Sequence, residues 1–469
     1  MNLPKHLHVV GICGVATSAI AIAFHKRGVR VTGSDKGFFP PVSIELEKHD
    51  IFFYSGWHPE KMITENKPDL IMTGGAGTSS ANPEVLFAKE AGIPILTFPE
   101  ILQKYFIKKN SIVCAGTWGK TTTSSIISFV LIRAGLDPSY FSGGLSLSHD
   151  TGAISDMDWS VVEGDEYQVS ISDKRPKFVY YSPTHLLLTS VSWDHADLYP
   201  TEEKYFTAFE NLLTNIPANG LVIANNDDKG VMKIIHKNKG RTITYGSDKA
   251  DYIFDQIAPS RQGLDFAIRF KEQIYRIHSP MLGRYNAENI TGAFALLKEI
   301  GILPEIIIES IADFRGIRRR FEKRYEDKIT ILDCHAPTPE KAASALASIK
   351  EVYNSGKILA IFEPNIGGRE RETNKKYDRA FKDADMVFIP RLTKLKIAAD
   401  EAEKPMEGDE LTKVISKTHE AVIHNEDDSK LVASVTSSAK QGDVIVFLGS
   451  HGFRGMIEES IKSLQGIWK

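Results

Sequence analysis

The sequence predicts an α/β protein with three domains built on parallel sheets, and three observations support that class. The chain has 469 residues, which is too long for one ordinary domain. Buried-strand patterns alternate with helix-like patterns along most of the chain, as they do in parallel sheets with right-handed crossovers. The segment CAGTWGKTTT at 114–123 places a glycine turn and a lysine between a hydrophobic run and a helix-like run.

The first predicted domain covers residues 1–107. LHVVGIC at 7–13 indicates a buried strand that enters a glycine turn, and VRVTGSD at 29–35 indicates a second strand with an acidic end. Glycines at such a turn can admit a phosphate, and the acid can bind ribose hydroxyls. The full dinucleotide signature is absent, so a tight packing turn remains an equal alternative. The candidate contacts are Gly11, Cys13, Gly14 and Asp35. A polar stretch at 105–111 predicts the boundary with the next domain.

The second predicted domain, residues 108–321, contains the glycine turn with the lysine. Backbone N–H groups at a strand–turn–helix junction converge on one concavity, and the helix start adds positive potential. Lys120 could reach a terminal phosphate, and the Thr121 hydroxyl could bind Mg²⁺. The pattern is shorter than the general phosphate loop, because Cys114 stands where a glycine is usual. We interpret it as a nucleoside triphosphate site, with a plain glycine turn as the structural alternative. The predicted contacts are Gly116, Thr117, Gly119, Lys120, Thr121 and Thr122.

Polar residues downstream of this loop extend the candidate site. Glu163 and Glu166 end a strand-like run, where a carboxylate could complete a Mg²⁺ site. His195 follows another strand and could be a metal ligand, a proton carrier or a loop histidine. Asn286 and Asn289 start a helix, so they could contact adenine or cap the helix. Between these groups, residues 242–280 predict a β-rich insertion.

The third predicted domain, residues 322–469, repeats the doubly wound pattern. Its strand-like runs lie at 329–336, 357–364, 385–391 and 443–453. Arg319 and Arg320, at the boundary, could bind phosphates through two N–H groups or simply cover the junction.

Composition narrows the classes of partner. The net charge is −3, which predicts no nucleic-acid partner. No apolar run approaches the length of a membrane span, and the start of the chain lacks a cleavable signal pattern. The three cysteines form no CxxC pair, which is typical of a reducing compartment. We therefore expect a cytoplasmic protein.

The order of these motifs is more specific than any one of them. A GICG start, AGTxGKTTT, ExDEY, a DHADL run, GxxNxxN, FxGxxRRxE and a late strand-ending Asp333 together resemble the Mur ligase family over nearly the whole chain. The resemblance implies a Rossmann-like domain that binds UDP-N-acetylmuramate, a central P-loop ATPase domain, and a Rossmann-like domain that receives the amine donor. It implies an ATP- and Mg²⁺-dependent amide ligase, as a monomer or weak dimer. By motif, Thr121 and Glu163 would bind Mg²⁺, His195 a second metal, and Arg320 and Asp333 would reach ATP.

One branch of the family is resembled most. DKRPKFVYY at 173–181, and EGDEY followed by WDHADLYP, resemble the branch that joins a murein tripeptide, L-Ala-γ-D-Glu-meso-diaminopimelate, to UDP-N-acetylmuramate in peptidoglycan recycling. The chain departs from the family at Trp118, where histidine is usual, and in the motifs at 333–339, 363–367 and 449–453. These departures concern the amine donor more than ATP.

Three alternatives stay open at this stage. The donor could be L-alanine, as in peptidoglycan biosynthesis, with the same chemistry. The chain could be a nucleotide-binding protein of this type that has lost ligase activity. The glycine turn and Asp35 could also belong to an NAD-linked oxidoreductase, which would leave the phosphate loop unexplained.

Overall fold

The computed structural model divides the chain into two compact units, and each is described by itself. It describes residues 2–38, 42–64, 66–74, 81–170, 172–393 and 405–467. The first unit comprises residues 1–258, 264–280 and 285–315, and the second comprises 259–263, 281–284 and 316–469. In these described ranges, no helix is long and apolar enough to cross a membrane.

The first unit begins with a five-stranded parallel sheet in the order β3-β2-β1-β4-β5. Its strands are β1 (His6–Val10), β2 (Arg30–Asp35), β3 (Phe52–Ser55), β4 (Leu70–Thr73) and β5 (Ile95–Thr97). Its helices are α1 (Val15–Lys26), α2 (Val42–Lys48), α3 (Pro59–Met62), α4 (Pro83–Glu90) and α5 (Phe98–Ile101). Every α1 residue from Thr17 to Phe24 is buried. A helix that is buried all round lies between two layers, so α1 joins this sheet to the next one.

A ten-stranded sheet follows in the same unit, in the order β15-β14-β13-β12-β11-β10-β6-β9-β7-β8. Its first strands are β6 (Asn110–Ala115), β7 (Ser139–Phe141), β8 (Gly152–Ala153), β9 (Trp159–Gly164) and β10 (His185–Leu188). The others are β11 (Leu221–Asn225), β12 (Arg241–Gly246), β13 (Tyr252–Ser260), β14 (Gly263–Phe270) and β15 (Gln273–Ser279). Its helices are α6 (Lys120–Arg133), α7 (Glu202–Thr214), α8 (Lys229–Ile234), α9 (Tyr285–Glu299) and α10 (Pro304–Asp313). Because β9, β6 and β10 are parallel neighbours, the segments after them meet at one edge.

The second unit is built on a six-stranded sheet in the order β16-β17-β21-β18-β19-β20, parallel except for β16. The strands are β16 (Glu322–Glu326), β17 (Thr330–Cys334), β18 (Ile358–Glu363), β19 (Met386–Pro390), β20 (Val422–Asn425) and β21 (Val444–Gly449). The helices are α11 (Pro339–Val352), α12 (Gly408–Ile415), α13 (Asp428–Ser438) and α14 (Met456–Ile467). Leu346 of α11 and Leu411 of α12 belong to one core, while Leu431 of α13 and Ile457 of α14 belong to another. The helices therefore cover both faces of the sheet.

The predicted α/β class is confirmed, and so is the β-rich insertion, but the polar connector at 105–111 is wrong. Tyr105 and Phe106 are buried in a π-helical turn at Leu102–Phe106, and β6 already begins at Asn110. The two aromatic side chains pack around Phe24 of α1, so hydrophobic burial outweighs the polar residues that follow.

Candidate active site

The glycine turn after β6 has the backbone that the sequence predicts. Gly116 and Gly119 have φ values of 139° and 82°, which residues with a side chain rarely adopt. A Cβ on Gly116 would lie 2.3 Å from the Thr189 Oγ1 atom, and one on Gly119 would lie 2.4 Å from the Asn289 Oδ1 atom. Cys114 is fully buried within β6, so it is a strand residue and the loop itself begins at Gly116. This explains why the motif looks short in the sequence.

The loop is anchored to the segment that follows β10. The Thr117 backbone N–H donates to the Ser190 carbonyl at 3.0 Å, and the Trp118 N–H donates to the Ser190 hydroxyl at 2.9 Å. The Thr117 hydroxyl donates to the Ser192 carbonyl at 2.9 Å. The Trp118 side chain is 59% exposed. Tryptophan in place of histidine at position 118 therefore changes an exposed side chain. The loop backbone is held by its hydrogen bonds to the segment after β10.

Lys120 is the first residue of α6 and lies among acceptors. Its Nζ atom donates to both carboxylate oxygens of Glu166, at 2.8 and 3.1 Å, and to the Gly116 carbonyl at 2.6 Å. Burial acts to lower the pKa of Lys120, but the carboxylates of Glu166 and Glu163 outweigh it and raise the pKa. The ammonium group is thus fully charged at neutral pH and is available to an anionic phosphate.

Glu163, at the end of β9, lies beside the start of α6. Its Oε2 atom accepts from the Gly143 N–H at 2.6 Å, and a Cβ on Gly143 would lie at the same 2.6 Å from that oxygen. Burial raises the pKa of Glu163, while Lys120 and the Thr121 hydroxyl act against this. Thr121 and Glu163 therefore face each other, as the Mg²⁺ prediction requires, although their role remains a prediction. Thr122 is buried in the same first turn of α6.

His195 lies between Glu166 and Tyr167. Its Nε2 atom is 3.6 Å from the Glu166 Oε1 atom, and its ring makes an edge contact with the Tyr167 ring at 5.0 Å between centroids. The Glu166 carboxylate raises the pKa of His195, so the imidazolium form is favoured. His195 has a φ of 54°, a conformation that costs energy for a residue with a side chain.

A cavity of about 360 Å³ opens in front of these groups. Its polar lining comprises Thr117, Lys120, Glu163, Asp165, Glu166, Lys177, Asp194 and His195. Val15, Ala16 and Thr17 of α1 line another side. Lys177 donates to Asp165 at 2.6 Å, and although burial would raise the pKa of Asp165, this lysine holds it below its ordinary value. Within the first unit, a single cavity thus joins the phosphate loop to the helix after the GICG turn.

The GICG turn and Asp35 are close, as predicted. The Cys13 backbone N–H donates to the Asp35 carboxylate at 2.8 Å, and the Gly11 N–H donates to the Ser34 carbonyl at 2.8 Å. Gly11 has a φ of 85°. Gly14 precedes α1 and accepts from the Ser18 N–H. Asp35 thus fixes the turn, and its binding of a nucleotide-linked substrate remains a prediction.

The asparagine pair lies near the start of α9. The helix begins at Tyr285, so Asn286 and Asn289 lie in its first two turns, and both are buried. Asn289 lies against the phosphate loop, as its closeness to Gly119 shows. Asn289 thus belongs to the phosphate loop's surroundings, whereas adenine contact by either residue stays a prediction.

In the second unit, Asp333 pairs with two arginine side chains. Its carboxylate lies 3.3 Å from the Arg319 Nε atom and 3.6 Å from the Arg324 Nη1 atom. Arg319 has a φ of 61° and also donates to the carbonyls of Gly449 and Ser450. Asp333 thus sits in an ion-pair network at the carboxyl end of β17. The ATP contacts assigned to Arg320 and Asp333 stay predictions.

Three residues of the site were not predicted in the place where they lie: Glu166 pairs with Lys120, Ser190 holds the loop backbone, and Lys177 lines the cavity. The only available signals were the acidic cluster after β9 and the DKRPKF stretch. Across the parts of the chain that the structure describes, no group of three or more His, Cys, Asp or Glu side chains could hold a metal ion alone.

Three family models match the chain in series. They are described as the catalytic domain of the Mur ligase family at residues 6–109, the Mur ligase middle domain at 114–297, and the Mur ligase, glutamate ligase domain at 319–451. The predicted boundaries at 107/108 and 321/322 agree in outline with these matches and remain predictions.

Curated relatives and solved structures agree with these matches. The chain is 32% identical to a UDP-N-acetylmuramate–L-alanine ligase of Pelodictyon phaeoclathratiforme, over 82% of this chain and 79% of the relative. It is 30% identical to the ligase of the same name from Rhodopseudomonas palustris, over 96% of both. The structure of UDP-N-acetylmuramate-alanine ligase from Thermotoga maritima has a TM-score of 0.80 at 24% identity, covering 99% of this chain and 100% of that one. A murein peptide ligase from Psychrobacter arcticus has a TM-score of 0.69 at 23% identity, with the same coverage. At these identities the structural likeness shows the fold alone.

Proposed function

The chain belongs to the Mur ligase family and is an ATP-dependent ligase, and on that premise we propose that it joins the lactyl carboxylate of UDP-N-acetylmuramate to the amine of L-alanine. The observation that carries this donor is the name shared by relatives at 30–32% identity, which cover most of the chain. L-Alanine thus replaces the tripeptide as the first candidate for the donor.

The phosphate loop and Lys120 support the ATP half of the reaction. A carboxylate does not acylate an amine at neutral pH, so it must first gain a leaving group. Phosphorylation by ATP supplies one, and the product of that step is an acyl phosphate with ADP. Lys120 would then exchange the Glu166 carboxylate for the transferring phosphoryl group and stabilise its charge. Thr121 and Glu163 would hold Mg²⁺, which neutralises phosphate charge when it is bound.

His195 lies where it can act on the substrate carboxylate. It lines the cavity 3.6 Å from the Glu166 carboxylate, which raises its pKa. We therefore assign His195 to orienting the substrate carboxylate in the cavity, and its role as a proton carrier stays a prediction. In the second step the donor amine attacks the acyl carbon, and inorganic phosphate leaves.

The tripeptide donor remains the second candidate, because of one observation. Lys177, within the DKRPKF stretch that resembles the tripeptide-adding branch, lines the cavity and pairs with Asp165. The resemblance of this stretch to the tripeptide-adding branch supports the tripeptide as the second candidate.

Mass spectrometry of ligation products decides between the donors. The purified protein would be supplied with ATP, Mg²⁺ and UDP-N-acetylmuramate, and with L-alanine or L-Ala-γ-D-Glu-meso-diaminopimelate. We expect UDP-N-acetylmuramoyl-L-alanine, formed with one ADP per product. Ligation of the tripeptide with no alanine product would contradict the donor assignment. ATP hydrolysis that ignores both substrates would contradict ligase activity itself. Lys120→Ala is the matched control for ATP dependence.

A further inference from the structure

In the second unit, strand order creates a crevice at the carboxyl ends of β18 and β21. The segment after β21 leads into α14, which packs on one face of the sheet. The segment after β18 leads to Tyr377, which packs on the opposite face. Adjacent parallel strands whose connections leave in opposite directions form the crevice where open α/β sheets bind ligands.

The side chain of Arg454 spans this crevice. Its Nη1 atom donates to both carboxylate oxygens of Glu363, at 3.0 and 2.8 Å. Its Nε and Nη2 atoms donate to the two oxygens of Asp428, at 2.8 and 3.1 Å, and Nη2 also donates to the Arg391 carbonyl at 2.8 Å. Every N–H of the guanidinium group therefore has an acceptor. Glu363 is the last residue of β18, Arg391 and Asp428 follow β19 and β20, and Arg454 itself follows β21.

Burial shows which of these groups act on the others. The Glu363 side chain is 1% exposed, and it also accepts from the backbone N–H and hydroxyl of Thr393, at 3.0 and 2.6 Å. Arg454 is 25% exposed, whereas Arg391, which pairs with Asp428 at 3.1 Å, is 52% exposed. The buried Glu363 carboxylate therefore fixes the position of Arg454, and the Arg391 side chain is the most exposed of these charged groups.

The backbone at Arg454 is strained. Phe453 and Arg454 have successive φ values of 54° and 51°, a conformation that is unfavourable for residues that carry a side chain. Such strain persists only where surrounding contacts determine it. The buried Phe453 ring and the saturated guanidinium group supply those contacts.

We propose that Arg454 is a positioning residue for the amine donor: by linking the carboxyl ends of four neighbouring strands, it holds the crevice open and presents Arg391 to the donor's carboxylate. The inference rests on the proposed function, because it assigns the crevice to the second step of that reaction. Lysine cannot replace arginine here, since an ammonium group can retain Glu363 but cannot bridge Asp428 and the Arg391 carbonyl at the same time.

The two half-reactions test this assignment separately. UDP-N-acetylmuramate-dependent exchange of label between ADP and ATP, without an amine donor, reports acyl phosphate formation. Full ligation at varied donor concentration reports the KM and kcat for the donor. The variant is Arg454→Lys, which leaves a cation beside the buried Glu363 carboxylate and so preserves the fold. The double variant Glu363→Gln/Arg454→Met removes both charges together. Arg371→Lys is the matched control, because Arg371 forms an exposed pair with Glu410 in the same unit.

We expect Arg454→Lys to raise the KM for the donor at least tenfold and to change the rate of ADP–ATP exchange less than twofold. The double variant should show the same two effects, and Arg371→Lys should leave both quantities unchanged. An unchanged donor KM would overturn this inference and leave the proposed function standing. A proportional loss of exchange and ligation would overturn it as well, because Arg454 would then serve the fold or the ATP step. A wild-type protein that shows neither exchange nor ligation would refute the proposed function and, with it, this inference.

Discussion

Glu166→Gln tests the central electrostatic feature of the candidate site. The substitution keeps the shape of the side chain and removes its charge. Glu166 is 2% exposed, and both of its carboxylate oxygens accept hydrogen bonds from the Lys120 ammonium group. It also faces His195 at 3.6 Å. The neutral amide can therefore neither balance the buried ammonium nor favour the imidazolium.

The geometry sets the magnitude. At 2.8 Å, two unit charges attract by about 6 kcal/mol for an effective dielectric constant of about 20. The cost of desolvating both groups cancels part of this, and removing one partner of a buried pair typically costs about 3–5 kcal/mol. Lys120 keeps the Gly116 carbonyl and the nearby charge of Glu163. We therefore expect the free energy of unfolding to fall by about 3 kcal/mol.

A double-mutant cycle with Lys120→Met isolates this interaction. Denaturant unfolding of the wild type, both single variants and the double variant should give a coupling of about 2–3 kcal/mol between Lys120 and Glu166. ATP should raise the melting temperature of Glu166→Gln at least as much as that of the wild type, because Lys120 no longer has to leave a carboxylate to bind phosphate. A coupling below about 0.5 kcal/mol, or weaker ATP binding in Glu166→Gln, would refute the reasoning.

The same variant has a pH signature at His195. Its pKa is raised in the folded protein, so its contribution to stability is full below the ordinary value of 6.5. That contribution is lost as the pH rises through the folded pKa. In Glu166→Gln the His195 titration, followed by NMR, should move down and this pH dependence should shrink. A titration midpoint unchanged from that of the wild type would contradict Glu166 as its cause.

Three further outcomes are expected. Gly119→Ala should destabilise the protein and abolish ATP binding, because its Cβ would meet Asn289 at a φ of 82°. Gly135→Ala, at a φ of 76° with open space around it, should cost only about 1 kcal/mol and keep ATP binding, and calorimetric titration compares the two. Burial and the nearby Asp227 raise the pKa of Glu288 to about 7. The free energy of unfolding should therefore fall as the pH rises from about 4.5 to 7, and Glu288→Gln should remove this dependence in denaturant titrations. The same pH dependence in the wild type and the variant would contradict the assignment to Glu288. Lys120→Ala should abolish ATP-dependent product formation with an unchanged circular dichroism spectrum, and retained turnover would contradict the phosphate-loop assignment.

The sequence by itself determined the local parts of the site. The glycines at 116 and 119, set between a β-branched run and a helix-forming run, specify a turn because no other residue adopts that backbone without strain. The alternation of strands and helices also predicted parallel sheets, because the preference for a helix or a strand acts over a few neighbouring residues. The order of such motifs was enough to predict the family.

Only the tertiary structure decided which side chains meet. Lys120 pairs with Glu166 because β9 lies next to β6 in the sheet, and Asn289 reaches Gly119 because α9 packs on α6. Strand order and helix packing depend on how the whole apolar surface is buried, which no local pattern encodes. For the same reason no local pattern in the sequence showed that Asp333 pairs with Arg319 and Arg324.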